Sequence, residues 1–296
     1  MSWTAIRHRA EYVGYRSLAT AFSFLPFPVQ RVVAYGLGWF GGSVLRVRRK
    51  VVDENLLRAF PDESQAWRNR VARESYRHLV REAVAMTRFS RLGPEFIRAR
   101  VDFEGEAEAR EAIASGTGIV IVSGHLGNWE LGGATLACKG FPVTAAVARQ
   151  SNPLFNEDVS DTRRSMDIDA VFRDRGYRPF LTAIRKGRML AMVADQNANS
   201  GAVFVDFFGV PAATASGPAV LAMRSGAPLY LAVCIRNPGS YDRYHIPARF
   251  VPVHEDDTVQ SVVQRYTTMF EELIRDYPDQ YFWHHRRWKT RPPEES

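Results

Sequence analysis

The sequence predicts an α/β fold, in which a mixed, largely parallel central sheet is flanked by helices and membrane-associated helices lie at the N-terminus. Short apolar runs rich in β-branched residues alternate with helical segments from residue 101 onward, and this alternation indicates parallel strands. Residues 1–50 combine aromatic side chains with arginines, a mixture typical of helices at a membrane surface. We therefore expect two units: basic helices at 1–50 and a single α/β domain at 51–296.

The positive charge is concentrated near the N-terminus. Residues 1–100 carry 18 Lys and Arg against 8 Asp and Glu, whereas the rest carry 21 against 24. The longest apolar run, residues 32–45, is shorter than an ordinary membrane span. The first 50 residues are therefore predicted to bind an anionic membrane surface, and packing of these helices on the protein's own core is the alternative. No nucleic-acid-binding module is recognisable, so the high pI of about 9.6 does not indicate nucleic acid.

The second unit is predicted to begin with helices and continue as the alternating core. Apolar positions in 51–92 recur at helical spacing, so the charged residues between them are expected on a solvated face. The core, 101–292, is predicted to contain these segments in order: a strand, a helix at 106–115, a strand at 119–122, a helix at 128–138, a strand at 143–148, a helix near 158–165, a strand near 170–172, a helix at 177–186, a strand at 188–194, a loop, a helix at 218–225, strands at 228–235 and 244–253, and a helix at 259–275. Cys138 and Cys234 lie in apolar runs and lack the Cys/Cys or Cys/His spacing of metal ligands. We therefore expect no structural metal, no cofactor and no disulfide.

The segment from His125 to Glu130 joins the strand at 119–122 to the following helix. His125 is expected at the carboxyl end of a parallel strand, where open α/β sheets place their chemistry. Asn128 is a candidate N-cap, and Glu130 falls in the first helical turn, close enough to fold back toward the ring. A carboxylate there would fix the tautomer of an imidazole that acts as a base. In a chain with seven histidines, the spacing of His125 and Glu130 alone is weak evidence for a catalytic pair. The alternative is a loop histidine without catalytic function.

Two further strands end in polar residues. Arg149 follows the strand at 143–148 and is a candidate to bind a phosphate or an acyl carbonyl oxygen, with a surface salt bridge as the alternative. Asp195 and Gln196 follow the strand at 188–194, where the carboxylate is a candidate to orient a sugar hydroxyl or to pair with Arg149.

Together these segments resemble the late lipid A acyltransferases, a bacterial branch of the lysophospholipid acyltransferase superfamily. The resemblance runs in order from about residue 30 to 292 and rests on these blocks: Asn55-Leu56 with Phe60-Pro61, SGHLGNWEL around His125, Arg149 with Asn152-Pro153, Asp195-Gln196, FFGVPAATASGPAVLA at 207–222, His285-Arg286-Arg287, and Lys289-Thr290-Arg291-Pro292. One block departs from the family pattern, because no glycine follows the arginines in Arg163-Arg164-Ser165-Met166. Which of Arg163 and Arg164 matches the family arginine is therefore open.

The resemblance implies an enzyme at the cytoplasmic face of the inner membrane, bound there peripherally or through its N-terminal helices. It would move a fatty acyl chain from a thioester, on acyl carrier protein or coenzyme A, to a hydroxyl of a glycolipid such as a lipid A precursor. Related enzymes acylate phosphatidylinositol mannosides, so the acceptor stays open. His125 would be the general base and Glu130 its partner, and the substrate-binding residues would be Arg149, Asn152, Arg163, Arg164, Asp195 and Gln196.

The chemistry adds three expectations. Negative charge that develops on the thioester carbonyl oxygen would be held by the backbone amides of Gly127 and Asn128, or by Arg149. The basic tail with Arg286, Arg287 and Lys289 is a candidate docking surface for an acidic acyl carrier protein. The competing functions are hydrolysis of the thioester, with water activated by the same pair, and membrane binding without catalysis.

Overall fold

A six-stranded sheet forms the centre of the fold in the computed structural model, which describes residues 3–149 and 151–292. The strands are β1 (Val101–Phe103), β2 (Ile119–Ser123), β3 (Val143–Val147), β4 (Asp169–Phe172), β5 (Met189–Val193), β6 (Ala202–Phe207), β7 (Val210–Ala215), β8 (Leu229–Ala232), β9 (Ile235–Arg236), β10 (Tyr244–Ile246) and β11 (Ala248–Val251). The central sheet has the order β11-β8-β2-β5-β3-β4. Its strands are parallel except β11, which pairs antiparallel with β8 at one edge. The predicted mixed, largely parallel sheet is confirmed.

Helices cover both faces of this sheet. They are α1 (Trp3–Phe24), α2 (Phe27–Trp39), which continues into a π-helical turn (Phe40–Val44), α3 (Arg49–Ala59), α4 (Gln65–Arg98), α5 (Glu106–Ala114), α6 (Trp129–Cys138), α7 (Pro153–Ser165), α8 (Arg178–Arg185), α9 (Gly217–Ser225) and α10 (Val259–Asp276). Successive side chains of β2 point to opposite faces, so Val120 and Val122 pack with α8, α9 and α10, whereas Ile119 and Ile121 pack with α5 and α6. The near-continuous apolar run of β2 is explained by this burial on both sides.

Two predicted strands are each divided between sheets. The run at 228–235 forms β8 in the central sheet and β9 in a three-stranded sheet of order β1-β10-β9. The run at 244–253 forms β10 in that three-stranded sheet and β11 in the central sheet. Pro247 separates β10 from β11, and a proline cannot donate a ladder hydrogen bond. The predicted loop after residue 194 contains an antiparallel hairpin, β6–β7, which turns through Phe208 and Gly209 at φ of 54° and 72°.

The N-terminal helices pack on the rest of the protein through one face only. Gln30, Ala34 and Gly38 of α2 are buried, and α1 contacts α4 and α7. Most of the large hydrophobic side chains that are exposed in the described residues lie before residue 50, among them Trp3, Leu18, Phe24 and Val32. Among the described helices, none combines the length and hydropathy that a bilayer crossing requires. Gln150, which follows Arg149, and residues 293–296, at the end of the predicted second domain, lie outside the described residues.

Candidate active site

Strand register brings His125 and Asp195 together. Ser123 at the end of β2 lies opposite Val193 at the end of β5, and the backbone N–H of Ala194 donates to the carbonyl oxygen of Ser123 at 3.0 Å. His125 and Asp195 each follow two residues after that pair. They therefore leave the same edge of the parallel sheet side by side, although 70 residues separate them in the chain.

Asp195 binds both the ring and the backbone of His125. One carboxylate oxygen lies 2.7 Å from Nδ1 of the ring, and the other accepts the backbone N–H of His125 at 3.0 Å. Burial by itself lowers the pKa of His125, but the charge and hydrogen bond of Asp195 outweigh burial and raise the pKa above its usual value. A neutral ring whose Nδ1 carries the proton presents the lone pair of Nε2, where a base would accept a proton. The Nε2 of Gln196 lies 3.3 Å from that atom.

The partner of the imidazole therefore differs from the prediction. Glu130 does not fold back onto His125; its carboxylate instead forms a two-oxygen contact with one guanidinium nitrogen of Arg163, at 2.7 and 3.0 Å. Glu130 still contributes, through its charge, to the raised pKa of His125. The difference arises because the first turn of α6 directs Glu130 toward α7, whereas strand pairing places Asp195 beside the ring. Arg163, rather than Arg164, reaches this region, and Arg164 lies at the surface paired with Asp161.

The backbone amides of Gly127 and Asn128 are already engaged, contrary to the prediction that they hold the oxyanion. The N–H of Gly127 donates to the carbonyl oxygen of Gln280 at 3.0 Å, and the N–H of Asn128 donates to that of Cys234 at 2.8 Å. This close approach requires glycine at 127, where φ is 68° and a Cβ atom would lie 1.9 Å from the Cys234 oxygen. The predicted N-cap is confirmed, because the Asn128 side chain accepts the N–H of Leu131. These contacts hold the loop rather than leave donors open.

Three of the predicted substrate-binding residues have structural partners away from the ring. Arg149 is exposed, pairs with Asp174 at 2.7 Å and lies over the ring of Phe172, so the surface salt bridge that was the alternative is the one observed. The side chain of Asn152 is buried: it caps α7 and donates to the carbonyl oxygen of His8 in α1. With Arg164 at the surface, the structure does not bring these three side chains to His125.

The C-terminal segment completes the site, a role that the sequence analysis missed. The N–H of Phe282 donates to the carbonyl oxygen of His125 at 2.9 Å, and the buried Tyr281 hydroxyl donates to Asp195. Arg287 is buried against Thr214 and the carbonyl oxygen of Ala213, so it cannot form part of a docking surface for a carrier protein. The signal in the sequence was the aromatic run Tyr281-Phe282-Trp283, because large aromatic side chains favour burial.

A buried ion pair supports the loop from the other side. Glu82 of α4 was expected on a solvated face, yet it is buried and accepts hydrogen bonds from Asn128, Arg236 and Tyr244. Burial, the largest single influence, would raise the pKa of Glu82, but the surrounding charges, first among them that of Arg236, together with the hydrogen bond from Arg236 outweigh burial and lower the pKa to about 2. The buried Glu82 carboxylate thus binds Asn128, the N-cap residue of α6, and thereby orients the loop that carries His125.

Two mostly apolar cavities lie near His125 and share Trp129 and Glu130 as lining residues, and the second is lined by His125 itself. The first, which we call the sheet cavity, runs between α6 and the central sheet; its lining includes Ile121, Gly133, Leu136, Ala145, Arg163 and Ala191. The second, the loop cavity, lies between α4 and the His125 loop; its lining includes His78, Leu79, Met86, His125, Gln280 and Phe282. The ring of Trp129 packs edge-on against the imidazole, with ring centroids 4.5 Å apart. This arrangement offers a basic nitrogen and room for an apolar chain at the same place.

Comparison with known proteins gives the family of the chain. The family model described as bacterial lipid A biosynthesis acyltransferase matches residues 5–290. Among curated proteins, the lipid A biosynthesis palmitoleoyltransferase of Escherichia coli is 29% identical over 92% of this chain and 89% of its own length. The lipid A biosynthesis lauroyltransferase of the same organism is 29% identical over 90% and 88%. A phosphatidylinositol mannoside acyltransferase of Mycobacterium tuberculosis is 30% identical over 42% of this chain and 40% of its own length.

The family match covers nearly every element that builds the site, from α1 to the C-terminal segment beside His125. The chain belongs to the bacterial lipid A biosynthesis acyltransferase family, and it is an acyltransferase.

Proposed function

We propose that this protein transfers a fatty acyl chain from a thioester, carried by acyl carrier protein or coenzyme A, to a hydroxyl of a membrane glycolipid, most simply a lipid A precursor. The observation that carries the proposal is the His125–Asp195 pair, because His125 lines the loop cavity and Trp129, which contacts its ring, lines both cavities. Curated relatives named for transfer to lipid A and to phosphatidylinositol mannoside support a glycolipid acceptor.

In the proposed reaction, the acceptor hydroxyl displaces the Gln196 amide from Nε2 of His125. The ring removes the hydroxyl proton as the oxygen attacks the thioester carbonyl, and general base catalysis of this kind contributes about 10²–10⁴-fold. The carbon–sulfur bond then breaks, and the imidazolium returns the proton to the leaving thiolate. Asp195 stabilises the imidazolium and holds the Nδ1 proton. We place the amide of Gln196 near the developing oxyanion, because it already lies 3.3 Å from the base.

We assign Glu130 and Arg163 to the acceptor. They form a partly exposed ion pair on the wall of the sheet cavity, with the Glu130 side chain 40% exposed. A carboxylate and a guanidinium at this position would bind sugar hydroxyls and orient one of them toward Nε2.

The test of the function is mass spectrometry of lipids after incubation of the purified protein with an acyl carrier protein thioester and either lipid A precursor or phosphatidylinositol mannoside. A mass gain of one acyl chain on one acceptor is the expected result and would identify the acceptor class. Release of free fatty acid with and without acceptor, and no acylated lipid, would instead establish a hydrolase.

We propose that the acyl chain occupies the sheet cavity, and Gly133 provides the test. Apart from its chain neighbours and the backbone of α6, no atom of the described residues lies within 4 Å of the position where a Cβ of Gly133 would be, and Gly133 lines this cavity. We expect Gly133→Leu to fill the space and to shift the product ratio at least tenfold toward the shorter chain when C12 and C16 thioesters compete, since each buried methylene contributes about 0.8 kcal/mol. The matched control is Gly14→Leu, which also has open space but lies on α1. An unchanged ratio in Gly133→Leu would place the chain elsewhere.

We further propose that α1 and α2 bind the anionic inner membrane from its cytoplasmic face. The side chains of Leu18 and Val32 are 61% and 71% exposed, and burying such side chains in the interface is worth about 1.5–3 kcal/mol each. We expect Leu18→Glu with Val32→Glu to lower binding to acidic vesicles at least tenfold at physiological salt in a flotation assay. Leu57→Glu, at a position 53% exposed outside these helices, is the control and should bind like the wild type. Equal binding by all three proteins would contradict the assignment.

A further inference from the structure

A third cavity, of about 240 Å³, lies between α2, α4 and the segment after β9, and four arginines line it. We call it the arginine cavity; its charged lining residues are Arg31, Glu74, Arg77, Arg81, Arg236 and Asp279. A water molecule occupies about 30 Å³, so the space accommodates a small polyatomic anion together with waters. None of the functions assigned above uses this cavity.

Several hydrogen-bond donors on its wall are buried and have no acceptor among the described residues. They are Nε of Arg77, Nε of Arg81, Nη1 of Arg236 and the hydroxyl of Tyr241. Arg236 is only 1% exposed, and leaving a buried donor of a charged group without an acceptor costs free energy. A ligand with several acceptor oxygens would satisfy these groups together.

The positive charge there is only partly balanced. Arg236 binds the Glu82 carboxylate directly, whereas the Nε of Arg81 lies 4.0 Å from the same carboxylate. Arg77 forms an ion pair with Glu74. His78 is buried beside them with Nδ1 3.4 Å from Glu82, and burial lowers its pKa, so it stays neutral at pH 7. Arg31 is exposed at the rim, where Asp279 is the remaining carboxylate. Within the described part of the chain, the carboxylate nearest to the guanidinium of Arg81 is that of Glu82 at 4.0 Å, which already binds Arg236, and this favours an anionic ligand.

The arginine cavity adjoins the catalytic loop. It shares His78 and Gln280 with the loop cavity, in which His125 lies, and Arg31 and Tyr35 of α2 contribute to its wall on the side of the N-terminal helices. The arginine cavity and the loop cavity are therefore neighbours, with His78 and Gln280 on the walls of both.

We propose that the arginine cavity binds a phosphate group carried by one of the two transfer substrates. Guanidinium groups bind the oxygens of phosphate through charge-assisted, often bidentate, hydrogen bonds, and a tetrahedral phosphate can accept from donors on several sides at once. The chemistry is shared by two sources: a phosphorylated glycolipid headgroup and the phosphodiester of the arm that carries the thioester. The identity of the source depends on the proposed transfer reaction, but the presence of the site does not.

The first measurement is independent of catalysis. The full chain in detergent is unfolded thermally in inorganic phosphate and in chloride of equal ionic strength, for the wild type, Arg81→Gln and Arg249→Gln. Arg249 pairs with Glu272 on the edge of the fold and is the matched control. We expect phosphate to raise the unfolding midpoint of the wild type and of Arg249→Gln, and the apparent phosphate affinity of Arg81→Gln to fall about tenfold or more. No phosphate-specific rise in the wild type, or the same rise in Arg81→Gln, would overturn the proposal.

The second measurement identifies the source. Transfer kinetics of Arg81→Gln are compared for a phosphorylated acceptor and the same acceptor after phosphatase treatment. A KM at least tenfold higher for the phosphorylated acceptor alone points to the glycolipid headgroup, and a higher KM for the donor alone points to the carrier arm. If the KM values of Arg81→Gln for the donor and for both acceptors equal those of the wild type, the proposal is contradicted. If the wild type transfers no acyl chain, the proposed reaction fails while the phosphate titration still decides whether the site exists.

Discussion

Replacing His125 by alanine is expected to lower acyl transfer by about 10²–10⁴-fold, the range that general base catalysis supplies. The acceptor hydroxyl has a pKa far above that of any histidine, so the proton must leave as the oxygen attacks. His78 also lines the loop cavity, but its Nε2 is occupied by the carbonyl oxygen of Gly127 at 3.3 Å. The measurement is the initial rate of acylated lipid formation under single-turnover conditions.

The control for this substitution is His254→Ala, at an exposed position after β11. It should transfer at the wild-type rate. Vesicle binding of His125→Ala should match that of the wild type, because the ring is held by side chains rather than by the membrane-facing helices. Substantial transfer by His125→Ala would show that the base lies elsewhere.

Asp195→Asn is expected to reduce transfer by a similar factor and also to change its pH dependence. The Asp195 carboxylate raises the pKa of His125, and only the neutral ring can act as a base. In the wild type, kcat/KM should therefore fall as the pH drops through a value above the ordinary histidine pKa of about 6.5. Without the carboxylate, burial lowers the pKa of the ring, so the acid limb of the pH profile, where kcat/KM falls with falling pH, should move to lower pH. The plateau value of kcat/KM at higher pH should also fall, because the tautomer of the ring is no longer fixed.

The Glu130→Gln variant tests whether Asp195, as in the structure, or Glu130, as predicted from the sequence, is the partner of His125. Glu130 contacts Arg163 and affects His125 only through its charge, so this variant should move the acid limb in the same direction but by less than Asp195→Asn does. Its larger effect should be on the KM of the acceptor. An acid limb that moves more in Glu130→Gln than in Asp195→Asn would restore Glu130 as the partner of the ring.

Much of the fold and part of the site follow from local sequence. The alternation of apolar strands and helices predicts the parallel sheet, because strands buried on both faces must be continuously apolar. The position of His125 at the carboxyl end of β2 and the N-cap at Asn128 also depend only on neighbouring residues, and both are confirmed. The hairpin β6–β7 and the division of the strands after residue 228 depend on pairing with distant segments, which local patterns do not encode.

The sequence by itself determined the class of fold, the strand–loop–helix unit that presents His125 and, through its ordered blocks, the acyltransferase family. Only the tertiary structure decided which carboxylate binds the ring, because Asp195 reaches His125 through the register of β2 with β5, across 70 residues. It also decided that Glu82 and Arg287 are buried, and that the amides of Gly127 and Asn128 are engaged. The physical reason is the same in each case: a polar group is placed by whatever partner the packing brings within hydrogen-bond distance, and that partner is seldom near in sequence.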